Sequence, residues 1–388
     1  MSGRTVQDLL ERVDAIADVV RDGAAESERL GRLTPAVVDA LHEAELFRMP
    51  VQAELGGLDL TIPESVRVFE RVASCDASTG WVLAILADGP LFARFLSKAA
   101  LTEICSDPAG LMCGSLNPVT ARAERVDGGF SFSGTATYLS GSAHASWVMA
   151  SAIVTKDGQP DAAEGDIEIR AGFFPIDRAR SLDSWHVTGM RATGSSDHAF
   201  DDVVVAEDWT FEPLRPEPTS GVHGAIPLWA QLGGGLAACA VGAARNMIDR
   251  FVELAATKVP AGGTFSRLAE RAPAQIAAGE AEGLYLAARA VLHESTERVW
   301  ARGLARRPFD NAALAEQRLS TVTAVRLAAQ AIDCVHDAAG MSSVKSDAVL
   351  ERCWRDVHTM TQHLILSPVR YEIAGRVLLG LDPGAPVI

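Results

Sequence analysis

The sequence predicts a mainly α-helical chain with a compact β unit set into its middle. Three observations carry this expectation. Apolar residues recur at helical spacing over the first 110 residues, β-type alternation with turn signals takes over between 111 and 217, and four long helical stretches fill 218–388. At 388 residues the chain is too long for one simple core, so these three units, 1–110, 111–217 and 218–388, are expected as domains.

In the first unit Val6, Leu9, Leu10, Val13, Ile16, Val19 and Val20 are spaced by threes and fours, with Thr5 and Asp8 placed to cap the helix start. Thr34-Pro35 opens a second helix through Leu46, because proline forfeits no hydrogen bond at the first helical position. Gly56-Gly57 ends it. Thr61-Ile62-Pro63 starts a third, and after Asp76 an Ala-rich stretch through Trp81 to Phe95 continues the helical pattern. In the second unit Val126-Asp127-Gly128-Gly129-Phe130 reads as a hairpin, and Phe130-Ser131-Phe132-Ser133 alternates residue by residue. Trp147 to Val154, Asp166 to Ile176 and Phe200 to Val205 are further strands, and Pro213, Pro216, Pro218 and Gly221 mark a linker. The third unit reads as a bundle of four helices, Leu228 to Lys258, Phe265 to Arg302, Asn311 to Gly340 and Asp347 to Gly380, the last kinked at Pro368. At 1.5 Å per residue they run roughly 45 Å or more, a length that suits packing between copies of the chain.

With 35 basic and 50 acidic side chains the formal charge is −15, and no basic run with interleaved aromatics offsets it, which argues against a nucleic-acid partner. Six cysteines without a CxxC pair or zinc-finger histidines suggest free thiols in a reducing cytoplasm, with no metal site. The acids within the first twenty residues exclude a secretory h-region, and no stretch approaches the roughly 20 uninterrupted apolar residues of a membrane span.

Four strings carry chemistry. They are Asp76-Ala77-Ser78-Thr79-Gly80-Trp81; Gly114-Ser115 with Thr137-Tyr138-Leu139-Ser140-Gly141 and Ala143-His144; Trp185 with Gly189-Met190-Arg191-Ala192-Thr193-Gly194-Ser195-Ser196; and Arg355-Asp356 followed seven residues later by His363. In this order, and over nearly the whole chain, they resemble the acyl-CoA dehydrogenase fold: an N-terminal helical domain, a β-barrel or sandwich, and a C-terminal four-helix bundle. Within that fold they resemble the oxygenase components of two-component flavin-dependent monooxygenases.

The resemblance implies reduced FMN or FAD as cofactor, O2 as co-substrate, and a C4a-hydroperoxyflavin that hydroxylates an aromatic or polycyclic small molecule. Ser140 falls on the hydroxyl that bonds flavin N5, and Tyr138 replaces the family's tryptophan as an aromatic wall. Ser115, Arg191, Thr193 and Ser195 complete the implied cofactor set. His363 is the implied general base, a role that an ordinary histidine pKa near 6.5 suits. His144, Trp81 and Asp88 are implied substrate contacts, Asp88 standing where some hydroxylases place a histidine.

The usual dehydrogenase carboxylate, eight residues after the Asp of the R-D pair, is Leu364 here, and no acid lies from Val357 to Arg370. That weighs against an acyl-CoA dehydrogenase, which stays the alternative together with N- or S-oxygenation. Gly262-Gly263-Thr264-Phe265-Ser266-Arg267 stands where dehydrogenases carry an Arg that grips the FAD pyrophosphate. With no GxGxxG for a nicotinamide cofactor, reduction falls to a separate NAD(P)H-dependent flavin reductase. The resemblance and the helix lengths favour a homotetramer over a dimer.

Overall fold

The computed structural model describes residues 5–156, 158–161, 167–214, 216, 219, 221–261, 266–346 and 348–384. Five helices form the first unit: α1 (Val6–Leu30), α2 (Pro35–Glu43), α3 (Ile62–Ala73), α4 (Ala77–Ala93) and α5 (Lys98–Ser106). Local chemistry sets their starts. Thr5 with Asp8 and Thr61 with Glu64 form capping boxes, and the Asp76 carboxylate accepts from Thr79 N–H. Gly31 ends α1 in the left-handed conformation.

Among the described residues nine strands follow: β1 (Met112–Ser115), β2 (Ala121–Val126), β3 (Gly129–Ala136), β4 (Trp147–Lys156), β5 (Gln159–Pro160), β6 (Ile169–Pro175), β7 (Arg180–Ser181), β8 (His198–Ala206) and β9 (Thr210–Phe211). They form one mixed sheet in the order β7-β8-β3-β2-β4-β6-β9, with β1 and β5 also paired to β4. The β2–β3 hairpin turns at Gly128 (φ 75°), and Phe130 and Phe132 on β3 are fully buried. The sheet curls over this pair. The Phe132 ring lies against Gly172 of β6, where a Cβ would come within 2.5 Å of it, and Phe174 of β6 meets Phe200 of β8. Asp166, the expected start of β6, lies outside the described residues.

The bundle comprises α6 (Leu228–Thr257), α7 (Ala272–Leu304), α8 (Asn311–Ala339), α9 (Val349–Met360) and α10 (Val369–Leu378). Phe265 and Asp347, the expected first residues of two of its helices, lie outside the described residues, as do Pro218 of the linker and 262–265 of the glycine-rich string. The expected fourth helix is two helices. It stops at Met360, and a bend over 361–368 separates it from α10, whose N-cap is Pro368. His363 therefore lies beyond the helix and does not share a helical face with Asp356. No helix among the described residues is long and apolar enough to cross a membrane.

Candidate active site

The site is built where α4, two turns of the β unit and the 361–368 bend meet. The second turn of α4 brings Trp81 against the β unit, and its indole N–H donates to Ser140 Oγ at 3.2 Å. Gly141 N–H donates to the Thr193 carbonyl at 2.8 Å, which stitches the turn after β3 to the turn before β8. Ser140 Oγ then lies 2.7 Å from Ser195 Oγ, and Ser195 Oγ lies 2.6 Å from Thr193 Oγ1. Thr193 donates to the Met190 carbonyl at 2.8 Å, and all four side chains are buried.

The chemistry of the two ends orients this chain of hydroxyls. A carbonyl only accepts and an indole N–H only donates, so Thr193 gives its proton to Met190, Ser195 to Thr193, and Ser140 to Ser195. Ser140 thus commits its proton inward, accepts from Trp81, and keeps one lone pair free. It can accept from a ligand but not donate to one.

The helices fix the second turn. Asp356 on α9 accepts from Met190 N–H at 2.5 Å, and Arg355 donates to the Thr188 carbonyl and to Glu28 of α1 at 2.7 Å. Gly189 permits the approach, because a Cβ there would fall 2.2 Å from the Arg355 carbonyl oxygen. Burial, reinforced by the neighbouring Asp76, pushes the Asp356 carboxyl up to about 7 against the opposing pull of Met190 N–H, Arg352 and Arg355.

His363 meets Trp81 edge to face, ring centroids 5.2 Å apart. Its Nδ1 accepts from Ile365 N–H at 3.3 Å, which assigns the neutral ring its proton on Nε2. Burial, and then the charge of Arg370, lowers its pKa to about 4. The ring is neutral at physiological pH and offers Nε2–H as a donor, so taking a substrate proton requires the tautomer to switch.

The other expected site residues are dispersed. Tyr138, at φ 59°, is 67% exposed and stands edge to face with Trp185, leaving an aromatic wall beside Ser140. Ser115 ends β1, where its hydroxyl accepts from Asn117 N–H. Arg191 is exposed and engages the Val187 carbonyl and Glu28 rather than the hydroxyl chain. His144 lies in a short 3-10 turn; its Nε2 is buried without a hydrogen-bond partner among the described residues, and burial, then Arg32 and His42, lower its pKa. Asp88, seven residues along α4 from Trp81, lines a cavity of about 10 Å³ with Phe69, His223, Gln231 and Gly235. Burial alone pushes its carboxyl up to about 8, and it has no hydrogen-bond partner among the described residues.

Sequence reasoning missed the Met190 carbonyl, on which both Thr193 and the Trp185 indole N–H converge. A backbone acceptor leaves no mark in a sequence. The residues fit a flavin: a free lone pair on Ser140, and beside it an exposed Tyr138 standing against a half-buried Trp185.

Comparison with known proteins agrees. Residues 5–99 match the family model "Acyl-CoA dehydrogenase, N-terminal domain" and 234–368 match "Acyl-CoA dehydrogenase, C-terminal domain". The chain therefore has the acyl-CoA dehydrogenase fold. Indole-3-acetate monooxygenase of Pseudomonas putida is 31% identical over 377 residues, covering 95% of this chain and 94% of that protein. The oxygenase component of FADH2-dependent resorcinol hydroxylase from a Rhizobium species is 28% identical, covering 97% and 95%. The crystal structure of the HsaA monooxygenase from M. tuberculosis superposes with a TM-score of 0.90 at 26% identity, covering 99% and 100%. XiaF from a Streptomyces species, in complex with FADH2 and glycerol, also gives 0.90 at 25% identity, covering 99% and 98%.

The chain belongs to the flavin-dependent monooxygenases built on this fold. It is the oxygenase component of a two-component system, an oxidoreductase that uses reduced flavin and O2 on a small molecule, with a separate flavin reductase as partner.

Proposed function

We propose that the enzyme hydroxylates an aromatic small molecule, and that its hydroxyl chain is oriented to receive the reduced cofactor. Ser140 stands at the position of the family's N5-bonding hydroxyl and has only a lone pair to offer. N5 of a reduced flavin carries a hydrogen, whereas N5 of an oxidised flavin is an acceptor, so an accepting Ser140 suits the reduced form. This direction, forced by the Trp81 and Met190 ends, is the observation that carries the reading. Reduced flavin, when bound, supplies the electrons that activate O2.

The rest is work for the chain's own residues. Trp81 excludes water and holds Ser140, Tyr138 with Trp185 walls the open side, and Thr193 and Ser195 keep Ser140 in its accepting state. His363 orients a polar substituent of the substrate through Nε2–H and takes up a proton after the tautomer switches. Asp88, largely protonated at neutral pH, donates to a polar group deeper along α4. The monooxygenase names of two relatives, one acting on indole-3-acetate and one on resorcinol, support an aromatic substrate. The reductase draws on NAD(P)H, the oxygenase assembles as a homotetramer, and both work in the cytoplasm.

The test is rapid mixing of the anaerobic protein and reduced FMN or FAD with oxygenated buffer, followed by turnover of aromatic candidates under 18O2. A transient absorbance phase distinct from the appearance of oxidised flavin, with one 18O atom in a ring-hydroxylated product, is expected. Immediate reoxidation with no labelled product refutes the proposal, and label on nitrogen or sulfur redirects it to N- or S-oxygenation.

A further inference from the structure

α8 buries a charge that nothing in the described protein neutralises. Leu314, Arg318, Val322 and Val325 fall on one buried stripe of that helix, and Arg318 keeps only 3% of its surface. Its guanidinium makes no hydrogen bond and no ion pair among the described residues, and Nη1 is a fully buried donor without an acceptor. A second cation, Arg370, adds its charge from the start of α10, which packs on α8. Arg370 has no acidic partner among the described residues either. Its Nε donates to the Leu364 carbonyl at 2.9 Å, bracing the bend that carries His363, and its charge reaches His363 as well.

Stranding a guanidinium in a protein interior is strongly unfavourable, and a second cation beside it adds repulsion. The arrangement is complete only when an anion joins it. We propose that Arg318 and Arg370 form an anion subsite beside His363 that takes the carboxylate of an aryl carboxylate substrate. The assignment rests on the monooxygenase reading above and names the substrate class for it. A flat guanidinium matches a carboxylate through paired N–H donors, which a lysine does not reproduce. The flavin phosphate of FMN offers the same chemistry, but the hydroxyls that suit the flavin ring belong to the β unit. Arg318 and Arg370 belong to the bundle.

Titration calorimetry on the full-length, flavin-free protein tests this with phenylacetate, indole-3-acetate and benzoate, each beside its neutral alcohol. At least one carboxylate should bind about 10-fold or more tightly than its alcohol, and Arg318→Met should remove that margin while leaving alcohol binding unchanged. Arg318→Lys should fall between the two. Without ligand, Arg318→Met should melt above the wild type, since an unpaired buried charge is gone; a merely structural arginine would melt lower when replaced.

Carboxylates that bind no better than alcohols, or bind Arg318→Met as well as wild type, overturn the subsite. If instead Arg318→Met loses affinity for reduced FMN but not reduced riboflavin, with carboxylate binding untouched, the anion is the flavin phosphate and the substrate assignment fails. None of these readouts requires turnover. Intact carboxylate selectivity in a protein that never incorporates oxygen would refute the monooxygenase reading and leave the subsite standing.

Discussion

Asp356 ties the bundle to the β unit, and replacing it separates two effects that usually travel together. Asp356→Ala removes the acceptor of the buried Met190 N–H and leaves that donor unsatisfied. The expected loss is about 1–3 kcal/mol. Asp356→Asn keeps an acceptor at the same place without a charge.

The wild-type carboxyl is raised from 3.8 to about 7, chiefly by burial and then by Asp76. An acid whose pKa is higher folded than unfolded contributes stability that is complete below about 3.8 and is lost as the pH rises through about 7. The raised value sets an upper bound of about 4 kcal/mol on that loss, and about 2 kcal/mol is the working expectation for an interior of moderate effective dielectric.

Urea unfolding from pH 4 to pH 9 should therefore show Asp356→Asn near the wild type at the acid end and above it at the alkaline end. Asp356→Ala should lie below the asparagine variant throughout. Binding of reduced flavin should weaken in the alanine variant, because the Met190 to Ser195 turn loses its anchor, and survive in the asparagine variant. If the two variants lose stability equally, or if their gap from the wild type does not change with pH, the account of this carboxyl is wrong.

Other outcomes follow from the same geometry. Ser140→Ala removes the accepting oxygen that Trp81 and Ser195 orient, so the product yield should fall about 10-fold or more, with the balance appearing as H2O2, measured as peroxide per flavin oxidised; unchanged coupling would dismiss the hydroxyl chain. His363 is neutral above about 4, so the pH profile of kcat/KM from pH 5 to 9 should have the same shape in wild type and His363→Gln, while His363→Ala falls further in kcat; a wild-type inflection near 6.5 that vanishes in the glutamine variant would contradict this. Asp88 is raised to about 8, so wild-type stability should decline as pH rises from about 4 to about 8, and Asp88→Asn should flatten that decline in thermal melts.

Local signals were readable from sequence because they act over a few residues. Thr5 with Asp8, Thr61 with Glu64, and Asp76 each cap a helix within one turn, and the Gly128 hairpin pairs its immediate neighbours. The meeting of Ser140 with Thr193 and Ser195 depends on a backbone bond across more than fifty residues, and only the family resemblance gave it away. The bend that takes His363 off the helix was hidden, since α9 ends at Met360 although Thr361 to Leu364 hold no glycine or proline to mark a stop. Arg191 answers to Glu28, 163 residues away, a pairing that no spacing rule reveals. Arg318 left a trace in its place on the Leu314 to Val325 stripe, where a cation breaks the apolar pattern.

The division of labour between turns and helices has an evolutionary meaning. Ser140, Thr193 and Ser195 lie on two short turns locked to each other and to α4 and α9, whereas Asp88, Arg318 and Arg370 are single side chains on helix faces. Change on those faces can proceed one residue at a time without disturbing the locked turns. Under the proposed assignment, a lineage can exchange one ring system for another while inheriting the locked turns intact.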